Sequence, residues 1–164
     1  VIHEPTPDKP LHRLIQFHGI ENMSDSDMKA LHLSQEELEE LCIKQLKAGQ
    51  AVWFACDAGA FGARKDGVWD PDSVQYEALL GGFSTDMPKG ERLQYGSSSA
   101  THAMLLTGVH FDADGKADRW KNRKFLGKRR RRSGHFVCSA KYFKEYAMKP
   151  SSTAVTSAPN RPPC

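Results

Sequence analysis

The sequence predicts an α+β fold, an antiparallel sheet with short flanking helices. Three observations lead there. Ala51-Val52-Trp53-Phe54-Ala55-Cys56 is a continuous apolar run, the signature of a buried strand. Met104 to Phe111 forms a second strand that enters Asp112-Ala113-Asp114-Gly115-Lys116, and Asp118-Arg119-Trp120-Lys121 begins the return. Asp-Gly between two strands signals a hairpin, hence antiparallel pairing. Finally, helix start and stop signals bracket only short segments.

Taken in order, residues 1–21 read as loop because Pro5, Pro7 and Pro10 break any helix. Within them Leu14-Ile15-Gln16-Phe17 suits a short strand. Leu31 and Leu33 look extended. Ser34, with Glu37 three positions on, forms a capping box. Leu38, Leu41, Cys42 and Leu46 then share one helical face, and Gly49 ends the helix. Cys42 on that face is packing. Asp70-Pro71 opens a second short helix, and Gly81-Gly82 follows its end. A third covers Pro88 to Tyr95 and stops at Gly96. Gly134-His135-Phe136-Val137-Cys138-Ser139 reads as a strand whose Ser139 caps a helix bearing Tyr142, Phe143 and Tyr146.

Composition narrows the class. The chain has 164 residues, 39% hydrophobic and 26% charged, which suits one globular domain with a real core. No apolar run is long enough to cross a membrane. The four cysteines, Cys42, Cys56, Cys138 and Cys164, form no C-x-x-C pair. Zinc ribbons and disulfide frameworks are therefore not expected, and reduced thiols in the cytoplasm are. Seven histidines occur without H-E-x-x-H spacing, so no metal or other cofactor is expected. The glycines of 59–67 lack the Lys-Ser/Thr ending of a phosphate loop. Asp112 and Asp114 suit a turn better than a calcium loop, which needs a glycine at its sixth position and a terminal glutamate. The start at Val1 lacks a methionine and reads as a cut edge.

The candidate catalytic residue is His102, in Ser97-Ser98-Ser99-Ala100-Thr101-His102-Ala103-Met104. A histidine at the mouth of a buried strand is rigidly held while its ring can face a cleft, which suits a general base. The same place also suits a histidine that merely bonds a backbone carbonyl. His110 lies eight strand steps of roughly 3.3 Å further on, too far to share a metal with it. Cys56 ends an apolar run and does not begin a helix, so it is read as core rather than as an activated thiolate.

Three strings, Gly49-Gln50-Ala51-Val52-Trp53-Phe54, Glu91-Arg92-Leu93 and Thr101-His102-Ala103-Met104, resemble the C-terminal part of the bleomycin hydrolase/aminopeptidase C family of papain-like cysteine peptidases. The resemblance implies that residues 1–147 are the histidine-bearing part of a papain-like domain; the remainder, 148–164, turns Ser/Thr/Pro-rich and reads from its composition as a disordered tail. It implies His102 as catalytic base, a peptide substrate, thiol-dependent removal of N-terminal residues and assembly as a homo-hexamer. The family's nucleophilic cysteine belongs to its N-terminal half, and no cysteine here matches its context. Its orienting asparagine stands in Asn-Ser-Trp-Gly after Trp-Lys; here Lys124 occupies that place. A lysine cannot accept an imidazole N–H, and its charge opposes an imidazolium. Asn122 lies two residues off on the same strand face, roughly 6.6 Å away, and substitutes only by a register slip. The chain alone is therefore expected to be inactive. The alternative is a non-catalytic basic module binding nucleic acid or an acidic partner through Lys128 to Arg132, although no aromatic interleaving accompanies the run.

The departure has a specific explanation. Codon choices exist for 123–133 that, read one base later, spell Gly-Asn-Ser-Trp-Gly-Asn-Ala-Val-Gly-Glu-Ala and rejoin the stated frame at Gly134. Read one base earlier, 148–159 can likewise spell Tyr-Glu-Ala-Val-Val-Asp-Arg, which looks like the family's final strand. The gene's own nucleotides check this: they are expected to spell both strings in the shifted frames, and any other reading overturns the explanation.

Overall fold

A computed structural model describes residues 1–17, 28–63, 65–84, 86–123 and 135–151. Near the N-terminus, β1 (Leu14–Phe17) pairs antiparallel with β2 (Met28–Leu31). Ser34 then caps α1 (Gln35–Lys47). Its hydroxyl accepts the Glu37 N–H at 3.2 Å, and the Glu37 carboxylate accepts the Ser34 N–H at 2.9 Å. Two otherwise orphaned donors are thereby satisfied.

After α1 comes β3 (Val52–Cys56), the expected buried strand. Within and just after the glycine-rich stretch lie two strands of two residues each, β4 (Gly62–Ala63) and β5 (Val68–Trp69). Such short strands carry no periodicity that sequence reading can detect. The single helix expected after Asp70 is divided. Asp70 caps a 3-10 turn, Pro71–Ser73, and Val74 turns extended before α2 (Tyr76–Leu79). Neither piece has a buried residue, so no packed face extends the helix.

Next come α3 (Lys89–Gln94) and β6 (His102–Phe111), which begins two residues earlier than expected. The hairpin closes through the Asp112 N–H and Lys116 carbonyl at 2.8 Å, with Gly115 at φ 77°, and returns as β7 (Ala117–Arg123). Then follow β8 (His135–Ser139), α4 (Ala140–Tyr146) and β9 (Ala147–Ser151). The tail expected from 148 thus opens with a strand: Met148 and Pro150 are buried on either side of Lys149. Residues 152–164 lie outside the described residues. β9 is an edge strand, where a proline's missing N–H is tolerated.

Seven strands make one sheet in the order β4-β5-β8-β7-β6-β3-β9. All neighbours are antiparallel except β5 and β8. One face is the core. Val52, Phe54, Met104, Leu106, Trp120 and Cys138 meet Leu38 and Cys42 of α1 and Tyr142 and Phe143 of α4. Trp120 stacks on Phe143 with centroids 4.5 Å apart. Each large side chain buried there contributes roughly 1.5–3 kcal/mol. The opposite face leaves Trp53 and Val137 exposed. No helix among the described residues is long and apolar enough to cross a membrane.

The N-terminal segment crosses α3 at Gly90, where any Cβ would strike the Pro5 carbonyl oxygen. From the same helix Lys89 donates to the carbonyls of Lys144 and Ala147 at 2.8 and 2.6 Å. Arg92 donates to the Glu145 carboxylate at 2.7 Å. Those bonds tie α3 to the end of α4. Burial pulls the Lys89 ammonium down from 10.5 to about 7, Glu145 opposing the shift. The unfolded chain therefore binds the extra proton between those values, so stability rises as pH climbs from about 7 toward 10.5. Urea unfolding of the chain and of Lys89→Met checks this. Relative to the variant, the chain is expected to gain on the order of a few kcal/mol between about pH 7 and about pH 10; parallel pH curves would contradict it.

Candidate active site

The pairing of β3 with β6 sets the position of His102. Val52 faces Leu106, Phe54 faces Met104, and Cys56 faces His102. The apolar partners drive that register, because a slip by one residue would turn Phe54 and Met104 outward. His102 is therefore the first residue of β6, at the end of the ladder, and it is half-buried. Cys56 opposite it is completely buried.

Beyond Cys56 the chain turns through Asp57 and Ala58, and this corner is tied from several sides. The Asp57 N–H donates to the Tyr146 carbonyl at 3.1 Å, and the Tyr142 hydroxyl donates to the Asp57 carbonyl at 2.6 Å. The Trp69 indole N–H donates to the Ala58 carbonyl at 3.2 Å. The segment entering β6 closes onto the same corner. Ser98 donates its hydroxyl to Asp57 Oδ2 at 2.9 Å. Thr101 Oγ1 accepts the Ala58 N–H at 3.1 Å, and the Thr101 N–H donates to the Cys56 carbonyl at 3.1 Å. Sequence reading missed Asp57, Ser98 and Thr101 as a unit. Ser98 and Asp57 are 41 residues apart, and no local pattern links them.

Asn122 does not reach the histidine. It pairs with Leu106, four residues along β6 from His102, or about 13 Å at strand rise. It is completely buried in the sheet. Lys124 and the cations 128–132 lie outside the described residues, as does Cys164. The other three cysteines are buried and form no disulfide with one another. Burial pushes the Cys42 thiol up to about 12, with Glu39 adding to the shift. Burial, followed by Cys56, drives Cys138 upward as well. None of these suits a thiolate nucleophile.

His110 stays exposed and meets Asp118, whose carboxyl that contact holds below its ordinary range. In the hairpin, Asp112 Oδ1 accepts the N–H groups of Asp114 and Lys116 at 3.0 and 2.8 Å, which is turn chemistry. No group of metal-ligating side chains occurs among the described residues. Two cavities lie among the described residues, neither of them lined by Asp57 or Ala58. One of about 570 Å³ is lined by Glu4, Lys9, Ser98, Ala100 and Lys149. Another of about 820 Å³ is lined by Phe61, Tyr76, Asp86, Arg92 and Tyr146. His102 lines neither.

Comparison with known proteins gives this arrangement a context. A family model described as Peptidase C1-like family matches residues 1–151. Aminopeptidase C of Lactococcus lactis subsp. cremoris is 37% identical over 147 residues, which are 89% of this chain and 34% of that protein. Bleomycin hydrolase of Gallus gallus is 32% identical over 151 residues, 89% of this chain and 33% of that protein. The crystal structure of PepW from Lactobacillus rhamnosis superposes with a TM-score of 0.85 at 36% identity, covering 91% of this chain and 33% of PepW. The chain spans about a third of the length of the curated relatives it matches. With the fold and nearly the whole described sequence matched together, the chain belongs to the Peptidase C1-like family.

Proposed function

We propose that this chain carries the imidazole of a thiol–imidazole pair in a cysteine aminopeptidase, with His102 as general base and acid. The observation that carries the reading is the place of Thr101-His102-Ala103-Met104 at the end of the β3–β6 ladder, within a family match that spans residues 1–151. Relatives named aminopeptidase C and bleomycin hydrolase support the reaction class. The sulfur comes from residues outside this chain, since the three described thiols are buried.

The chemistry then runs as follows. The imidazole takes the thiol proton, and the thiolate attacks the carbonyl carbon of the first peptide bond. As the C–N bond breaks, the imidazolium returns the proton to the leaving amine. A water deprotonated by the same ring then attacks the thioester carbonyl; the C–S bond breaks, the acid product leaves, and the imidazolium returns its proton to the sulfur. By itself the chain lacks the thiolate and hydrolyses no peptide. A cytoplasmic location and homo-oligomeric assembly belong to the same proposal.

The test is a chimera. Residues 1–151 carrying Lys124→Asn are joined to the N-terminal two-thirds of Lactococcus lactis aminopeptidase C. It is expected to release N-terminal residues in a thiol-dependent way, and His102→Ala is expected to lower kcat about 10²–10⁴-fold. Equal turnover with and without His102, or no turnover from a folded chimera, contradicts the proposal.

A further inference from the structure

We propose that Thr101, supported by Ser98 and Asp57, is a positioning clasp for the His102 imidazole. The inference rests on the general-base reading of His102 and adds how that ring is aimed. His102 is the first residue of β6, so the strand ladder restrains it only from one side along the chain. On the other side the chain arrives from a loop of small residues, Gly96 to Ala100. Loops of that composition sample many conformations.

Thr101 removes that freedom at both of its ends. Its N–H is fixed to the Cys56 carbonyl and its hydroxyl oxygen to the Ala58 N–H. Two bonds to backbone on either side of Asp57 fix both the path of Thr101 and the direction of its side chain. They thereby set the direction of the Cα–Cβ bond of the next residue, His102. Threonine suits the task because β-branching already restricts χ1. Three residues earlier Ser98, 5% exposed, is held by its N–H to the Arg92 carbonyl and by its hydroxyl to Asp57. The second oxygen of that carboxylate accepts the Gly59 N–H at 3.1 Å.

A clasp is only as rigid as what it grips. Asp57 and Ala58 are themselves gripped by Tyr142, Tyr146 and Trp69. Trp69 and Tyr142 are completely or almost completely buried. Orientation is thus passed from the aromatic core, through the corner after β3, to Thr101 and then to the imidazole.

The experiment is ¹³C relaxation of the His102 ring in the full 164-residue chain, with the exposed ring of His110 as internal control. Thr101→Val keeps the shape and removes the acceptor; Thr101→Ser keeps the acceptor. In the chain and in Thr101→Ser the ring order parameter is expected near the rigid value of about 0.85, and in Thr101→Val below about 0.6. His110 and the thermal midpoint should change little. Should Thr101→Val fail to fold, Ser98→Ala replaces it, with the same direction of change expected. A His102 ring equally ordered in the folded Val or Ala variant, or one already mobile in the unaltered chain, overturns the clasp. Because the readout needs no turnover, loss of the clasp leaves the general-base test standing, and a failed general-base test leaves the clasp measurable.

Discussion

The antiparallel ladder between β3 and β6 is the constraint on which the rest depends. It is built from two apolar runs distant in sequence, and it has one register compatible with a buried Phe54 and Met104. That register carries a half-buried histidine to the ladder's end, opposite a fully buried cysteine. Each further feature of the candidate site is hung on this pairing. The Asp57–Ala58 corner follows directly from β3, and the Ser98–Thr101 approach leads directly into β6. A site on the end of a sheet is more rigid than one on a free loop, as positioning of a proton-transfer group requires.

Stiffness of the ladder comes from behind. Helices α1 and α4 cover one sheet face, and the aromatic residues of α4 both fill the core and reach the corner. Tyr142 belongs to the packed cluster through its ring and to the hydrogen-bonded corner through its hydroxyl. Helix α3 locks the end of α4 from outside through Lys89 and Arg92. The Glu91-Arg92-Leu93 string noted in the sequence therefore has a structural role, with Arg92 bonded to Glu145 and Ser98 bonded to the Arg92 carbonyl.

Features set by neighbours in sequence were legible. The capping box of α1, the Asp-Gly hairpin, the apolar run of β3 and the Ser139 cap of α4 depend on residues a few positions apart, and each was found where expected. Features set by distant partners were not. Strands β4 and β5 exist because they pair with each other and with β8, and β9 because β3 offers it an edge. The break at Val74 reflects the lack of a surface for a longer helix to bury. His102 was visible as a residue and as a family string, whereas the corner that holds its approach joins chain segments about 40 residues apart. Asn122 failed as a substitute because the register of β7 fixes it beside Leu106.

Native-state amide hydrogen exchange tests most directly whether the ladder and its corner form one rigid support. The amides of Phe54, Met104 and Leu106 are expected to exchange only through global unfolding, and those of Ala58 and Thr101 at closely similar rates. The amides of the exposed segment around α2 should exchange far faster. Exchange of Ala58 and Thr101 at the rate of that exposed segment, with β3 and β6 still protected, would contradict the account.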